Sequence, residues 1–188
     1  QMTEYTIKGI LQSVPLSNPH SEKYGWTGDI HLFSEAANFN LHMYPLWKNW
    51  LKDVDATQKA MGDWKVAQVI PTYRKTVRTA SSTWGYVLPD LVLNTYRYYG
   101  DKQIVKAYYD NVKGWCDYLS SVASNHIVKG IWADHLQPGI SSEGEYISRG
   151  RTPEIVHLVG TAYYYKTARV VAKLAEILGM TSEKNEYM

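Results

Sequence analysis

The stretch Thr152-Pro153-Glu154-Ile155-Val156-His157-Leu158-Val159-Gly160-Thr161-Ala162-Tyr163-Tyr164-Tyr165-Lys166-Thr167-Ala168-Arg169-Val170-Val171-Ala172-Lys173-Leu174-Ala175-Glu176-Ile177-Leu178-Gly179 decides the fold class. Ile155, Leu158, Val159, Ala162, Val171, Leu174, Ala175 and Leu178 recur at spacings of three and four, which gathers them on one helical stripe. Thr152 can cap the first turn, Pro153 sits where its missing N–H costs little, and Gly179 marks the end. The pattern predicts one long helix, bent at Gly160.

Five more helical segments follow from the same periodicity. Asp101 opens one that carries Ile104, Tyr108, Val112, Trp115, Leu119 and Val122 on one face and runs to about Ser124, with Asp101 as its cap. Pro89 to Tyr99 stops at Gly100, and Pro45 to Met61 stops at Gly62, so both read as helix, turn, helix joints. Asp29 to Phe39 and Thr3 to Val14 complete the set, the latter as the tail of a first helix. Period-2 alternation is almost absent, and the fold class is therefore all-α. Leu16 to Gly28, Gly62 to Thr83 and Asn125 to Arg151 hold most of the Gly, Pro and Ser, and such long loops alternating with helix pairs predict one crowded functional rim. Stacked hairpins of this kind build a toroid or a solenoid, and no fixed repeat favours the solenoid.

Composition narrows the chemistry. A chain of 188 residues suits one domain or a piece of a larger one. The net charge of +2 and the lack of a basic run exclude a phosphate track, so no nucleic-acid partner is expected. No apolar run reaches the roughly 20 residues that span a bilayer, and Gln1-Met2-Thr3-Glu4 does not open a signal peptide, so no membrane partner is expected either. The single cysteine, Cys116, excludes an internal disulfide framework. His31, His42, His126 and His157 show no i, i+4 pair, and neither a metal nor another cofactor is expected. The 16 Tyr and 7 Trp against 2 Phe do point somewhere, because Tyr and Trp add a polar edge to a flat face. That bias suits sugar clefts, protein interfaces and helix packing alike. Trp47, Trp50 and Trp115 lie among aliphatic neighbours on helix stripes and read as core.

The densest polar cluster is Ser17-Asn18-Pro19-His20-Ser21-Glu22-Lys23-Tyr24-Gly25-Trp26-Thr27-Gly28-Asp29. Glu22 and Asp29 are seven residues apart, but the glycines between them permit a folded-back loop that brings both to one ligand. Asp29 reads equally as a helix cap. Trp26, flanked by glycines, is hard to explain as core, and its backbone is expected to take an unusual path. Lys23 is either a surface charge or a modifier of the Glu22 carboxyl. Tyr24 and Trp26 could supply the apolar surroundings that keep a general acid protonated.

Glu22-Lys23-Tyr24-Gly25-Trp26-Thr27-Gly28-Asp29 resembles the Asp-Cys-Pro-x-Arg-Glu-Lys/Arg-Leu-Gly-Trp-Thr-Gly-Asp signature of glycoside hydrolase family 78, the bacterial and fungal α-L-rhamnosidases. Thr83-Trp84-Gly85 with Tyr98-Tyr99-Gly100-Asp101, then Gly130-Ile131-Trp132-Ala133-Asp134-His135-Leu136-Gln137-Pro138, then Thr152-Pro153-Glu154 with Gly160-Thr161-Ala162-Tyr163-Tyr164-Tyr165, are similar to later segments of that family in the same order. The resemblance implies an (α/α)6 toroid of twelve helices, of which the six segments above are about half. It implies that residues 1–188 are a fragment, the N-terminal half of a single catalytic domain, inactive alone.

The resemblance also implies inverting hydrolysis of terminal α-L-rhamnosides, with Glu22 as general acid and two carboxyls roughly 6.5 to 9.5 Å apart. Trp26, Asp29 and Trp84 match residues of the innermost sugar subsite, and Asp134 and His135 fall in a further sugar-contacting loop. The implied ligand is a rhamnose-containing oligosaccharide or glycoside, and family members are often periplasmic or extracellular. Four departures weaken specificity for rhamnose: Ser17 and Asn18 stand for the usual Asp-Cys, Ser21 for Arg, and His135 for Trp. The family's general base lies on a segment absent here, and Glu143 and Glu145 read as solvated loop charges. Two alternatives stand beside this reading: a glycosidase of the same architecture acting on another sugar, and a non-catalytic helical domain that binds glycan or protein. Half a toroid would also expose apolar helix faces and favour self-association.

Overall fold

The computed structural model describes residues 1–72, 79–131 and 153–188, with the backbone alone at 153 and 154. Among them are seven α-helices: α1 (Met2–Ile10), α2 (Thr27–Asn40), α3 (Tyr44–Met61), α4 (Val87–Tyr99), α5 (Lys102–Val122), α6 (Pro153–Leu178) and α7 (Thr181–Glu186). A 3-10 turn, Trp84–Tyr86, leads into α4. The first helix is shorter than its periodicity suggests. It stops at Ile10, and the chain turns at Ser13 (φ 65°) into a two-residue hairpin, β1 (Leu11–Gln12) against β2 (Val14–Pro15).

The helix ends follow local chemistry. Asp101 caps α5, its carboxylate accepting from the Gln103 N–H at 2.8 Å. Gly100 closes α4 in the left-handed conformation that a side chain resists. The short α7 has no apolar stripe to announce it, and all its residues are at least partly exposed.

Successive helices are joined alternately by tight turns and long connections. Leu41–Met43, Gly100–Asp101 and Gly179–Met180 turn α2 into α3, α4 into α5 and α6 into α7. The connections into α2, α4 and α6 are the long ones. α2 and α4 run parallel as neighbours: Gly28 meets Trp84 at their starts, and Tyr99 Oη donates to Asn38 Oδ1 at 3.2 Å near their ends. α6 packs on α4 and α5, and α3 lies against α4 and α5. The long connections into α2 and α4 therefore share one rim, where Trp26 bridges Val69 and the Thr27 N–H donates to Gln68 O at 2.8 Å.

The core lies between these layers. Trp47, Trp50, Leu51 and Val54 of α3, Leu88, Leu91 and Val92 of α4, and Val112, Trp115 and Leu119 of α5 are closed to solvent. The three tryptophans read as core are core. α4 is buried nearly all round, as a helix with neighbours on every side must be. The α6 stripe needs one correction. Val171, Leu174 and Ala175 are buried as expected, but in the N-terminal half Val156 and Gly160 face inward while Leu158 is 71% exposed. Gly160 is where residues 128–130 press on the helix, an added Cβ lying 3.0 Å from Gly130 Cα, and α6 continues through it as one helix.

Candidate active site

The turn that carries Glu22 is organised by Asn18. Its Oδ1 accepts from Ser21 N (3.1 Å), Ser21 Oγ (2.8 Å) and Glu22 N (2.8 Å), while Ser17 N donates to Tyr24 O at 2.8 Å. A short amide side chain is suited to this, because it closes a turn upon backbone groups three and four residues ahead. Asn18 was legible in sequence only as a departure from a family pattern. Glu22 is exposed on this turn, yet its carboxylate is engaged: the Trp26 indole N–H donates to Oε2 at 2.7 Å.

The glycines around Trp26 serve packing rather than an unusual backbone path. Neither Gly25 nor Gly28 has a positive φ. A Cβ on Gly25 would stand 2.1 Å from Ile70 O, and one on Gly28 would stand 2.4 Å from Trp84 Cε2. Gly25 thus lets two loop strands touch, with the Ile70 N–H donating to Gly25 O at 2.9 Å. Gly28 makes the seat for the Trp84 indole. Thr27, fully buried, ties the start of α2 to the same loop through Oγ1 and Gln68 O at 3.0 Å. These contacts order the segment that glycine content alone would loosen.

Asp29 is not the cap of α2. Trp26 occupies that position, and Asp29 sits exposed in the first turn, where its charge complements the positive end of the helix. The structure thus brings together Glu22 and Trp26 by a direct bond, and Trp84 beside Gly28 at the start of α2, with Asp29 on the following residue. Trp26 and Trp84 are each half-buried. Asp134 and His135, together with Glu143 and Glu145, lie outside the described residues.

A polar layer continues below the rim. Asp90, in the first turn of α4, accepts from Ser34 Oγ of α2 at 3.1 Å, and burial pushes its carboxyl up to about 6. Among the described residues no group of three or more His, Cys, Asp or Glu could hold a metal ion. A hollow of about 460 Å³ lies between α5, α6 and α7 beside Cys116, His126 and Tyr187. That one is far in the chain from every group of the rim, and its Asp117 carboxylate is already bound to Lys113 and Tyr187.

Comparison with known proteins adds three findings. The family model described as the bacterial alpha-L-rhamnosidase 6 hairpin glycosidase domain matches residues 1–188. An alpha-L-rhamnosidase of Formosa agariphila and another of Alteromonas sp. are each 30% identical over 183 residues, which is 96% of this chain and 19% of those proteins. The chain thus spans about a fifth of the length of the curated relatives it matches. Among solved structures, the alpha-L-rhamnosidases of Dictyoglumus thermophilum (TM-score 0.83, 26% identity, 100% of this chain and 21% of that one) and Aspergillus terreus (TM-score 0.85, 26%, 98% and 21%) are similar throughout. The Streptomyces avermitilis alpha-L-rhamnosidase, solved with L-rhamnose, shares the fold at 23% identity, with a TM-score of 0.83, over 98% of this chain and 17% of that one.

Proposed function

Since this chain belongs to the family of bacterial alpha-L-rhamnosidase six-hairpin glycosidase domains, we propose that the protein carrying it hydrolyses terminal α-L-rhamnosides with inversion of configuration. Residues 1–188 form one part of a single six-hairpin catalytic domain, the N-terminal half of its ring. Glu22 is the general acid. It gives its proton to the glycosidic oxygen as the bond to the anomeric carbon breaks, while a carboxylate on a segment outside these residues takes a proton from the attacking water. Trp26 holds Oε2, so Oε1 is the oxygen that delivers the proton. Trp26 and Trp84 supply apolar walls, and Asp29 accepts hydrogen bonds from sugar hydroxyls.

The observation that carries this reading is the 2.7 Å bond between Glu22 and Trp26 on the rim of a fold shared with alpha-L-rhamnosidases. The test uses the full-length protein and an aryl α-L-rhamnoside. Glu22→Gln should lower kcat by about 10²- to 10⁴-fold, and proton NMR of the first product formed should record the β-anomer of L-rhamnose. Retained activity in Glu22→Gln would remove the acid assignment, and an α-anomer formed first would remove inversion.

A second reading, the same chemistry on another sugar, is favoured by Ser17 and Ser21, neutral residues that stand where the family pattern has a carboxylate and a guanidinium, with Ser21 bonded instead to Asn18 Oδ1 at 2.8 Å. A panel of aryl glycosides separates the two.

A further inference from the structure

One helical turn below the Trp84–Gly28 contact, three rings from three elements close on one another. His31 of α2 lies 5.6 Å from Tyr86 of the 3-10 turn and 5.7 Å from Tyr163 of α6, and the two tyrosines are 5.3 Å apart, all edge to face. Lys166, one turn on from Tyr163, sets its ammonium 4.4 Å from the Tyr86 ring centroid and 4.9 Å from that of Tyr163. Aliphatic side chains fill the neighbouring core, and hydrophobic packing calls for neither an imidazole nor an ammonium here. Within residues 1–188 His31 and Tyr163 are half-buried and Lys166 is exposed. The cluster is continuous with the rim, because Trp84 and Tyr86 share one turn and Gly28 and His31 share one helix.

We propose that His31, clamped by Tyr86 and Tyr163, is the floor of the sugar pocket and a specificity-determining residue that hydrogen-bonds a substrate hydroxyl. This rests on the hydrolase reading and deepens it. A sugar hydroxyl both donates and accepts, and a neutral imidazole offers one N–H and one lone pair to meet either role. The charged form could only donate. Burial first, and the Lys166 ammonium second, push the imidazole down to about 4, so it is neutral wherever the enzyme would work. Its titratable and charged surroundings are Tyr86, Asp90 of α4, Tyr163 and Lys166 of α6, with Glu35 on its own helix acting on Asp90 and Arg97 of α4 acting on Asp90 and Tyr86. Lys166 thereby acts on the sugar through His31, as a positioning residue resting on two aromatic faces.

The experiment uses the full-length protein and p-nitrophenyl α-L-rhamnoside. His31→Ala should raise KM about fivefold to tenfold with a smaller change in kcat, the fold-change expected for one lost hydrogen bond. His31→Gln, which keeps a donor and an acceptor at similar volume, should recover most of it. Lys166→Met keeps the stem and removes the charge, so its KM should rise at pH 5 relative to pH 7.5 while that of the wild type stays flat. An unchanged KM in His31→Ala or a His31→Gln no better than His31→Ala would each overturn the inference, and a flat KM in Lys166→Met would remove Lys166 as a positioning residue. A wild-type protein that cleaves no aryl rhamnoside would instead refute the rhamnosidase reading on which the inference rests, which keeps the two failures apart.

Discussion

Gly28→Ala tests whether the rim is built as described, and its sign is unusual for the substitution. In a helix interior, replacing Gly by Ala ordinarily stabilises by about 1 kcal/mol. Here the new methyl would meet Trp84 Cε2 at 2.4 Å, Cδ2 at 2.6 Å and Nε1 at 2.7 Å. Carbon atoms in contact rest about 3.5 Å apart, so the indole must retreat by roughly 1 Å. The backbone beneath it cannot follow. The next residue, Gly85, is itself pressed on Trp115, where an added Cβ would stand 2.3 Å from Cζ2, and Trp115 is fully buried. The indole therefore rotates or the start of α2 moves, at the cost of overpacking, about 1–3 kcal/mol.

That overpacking cost outweighs the propensity gain. Scanning calorimetry on the full-length protein should record a lowered Tm, by less than the about 2–4 °C per kcal/mol of a 150–250-residue domain, because the unfolding entropy grows with the size of the unit that melts. Displacing one wall of a sugar subsite by about 1 Å should lower kcat/KM on an aryl rhamnoside by up to about 100-fold. Trp84→Phe in the same background, with a smaller ring, should return part of the lost stability. Gly9→Ala is the control, since nothing lies within 4 Å of its Cβ position in α1, and it should stabilise. A Gly28→Ala protein with raised Tm and unaltered kinetics would refute the seat assigned to Trp84.

Two further predictions concern the support of the site. Asn18→Ala leaves three donors of the Glu22 turn without their acceptor, and kcat should fall while Asn18→Asp, which keeps Oδ1, retains most activity; equal losses in both would sink the assignment of Asn18 as the turn's organiser. Asp90, whose folded carboxyl is raised to about 6 from 3.8 by burial, binds more protons folded than unfolded, so its contribution falls as pH rises through that window. Asp90→Asn should be more stable than the wild type by about 1–2 kcal/mol at pH 7.5, after allowance for partial exposure, and should lose that advantage below about pH 4; melting curves at pH 4, 5.5 and 7.5 that keep a constant difference would contradict it.

Much of the helical frame was legible because its cues are local. Stripes at spacings of three and four, Asp101 before α5, and Gly62, Gly100 and Gly179 after α3, α4 and α6 act over a single turn of chain, and each was found where the spacing put it. Trp47, Trp50 and Trp115 were legible as core for the same reason. The polar loop that holds Glu22 stood out by composition and by its family resemblance.

What the tertiary structure alone decided lies in contacts between residues far apart in the chain. Gly25 and Gly28 were read as sources of backbone freedom, yet their partners, Ile70 and Trp84, stand dozens of residues away, and no local pattern records that a backbone must pass there. The inward face of α6 near Gly160 was misjudged because both faces of that half carry apolar residues, and only the loop at 128–130 selects between them. His31, Asp90 and Lys166 are unremarkable on their own helices and acquire a shared role only where α2, α4 and α6 converge, because electrostatic and aromatic contacts depend on distance in space rather than on spacing in sequence.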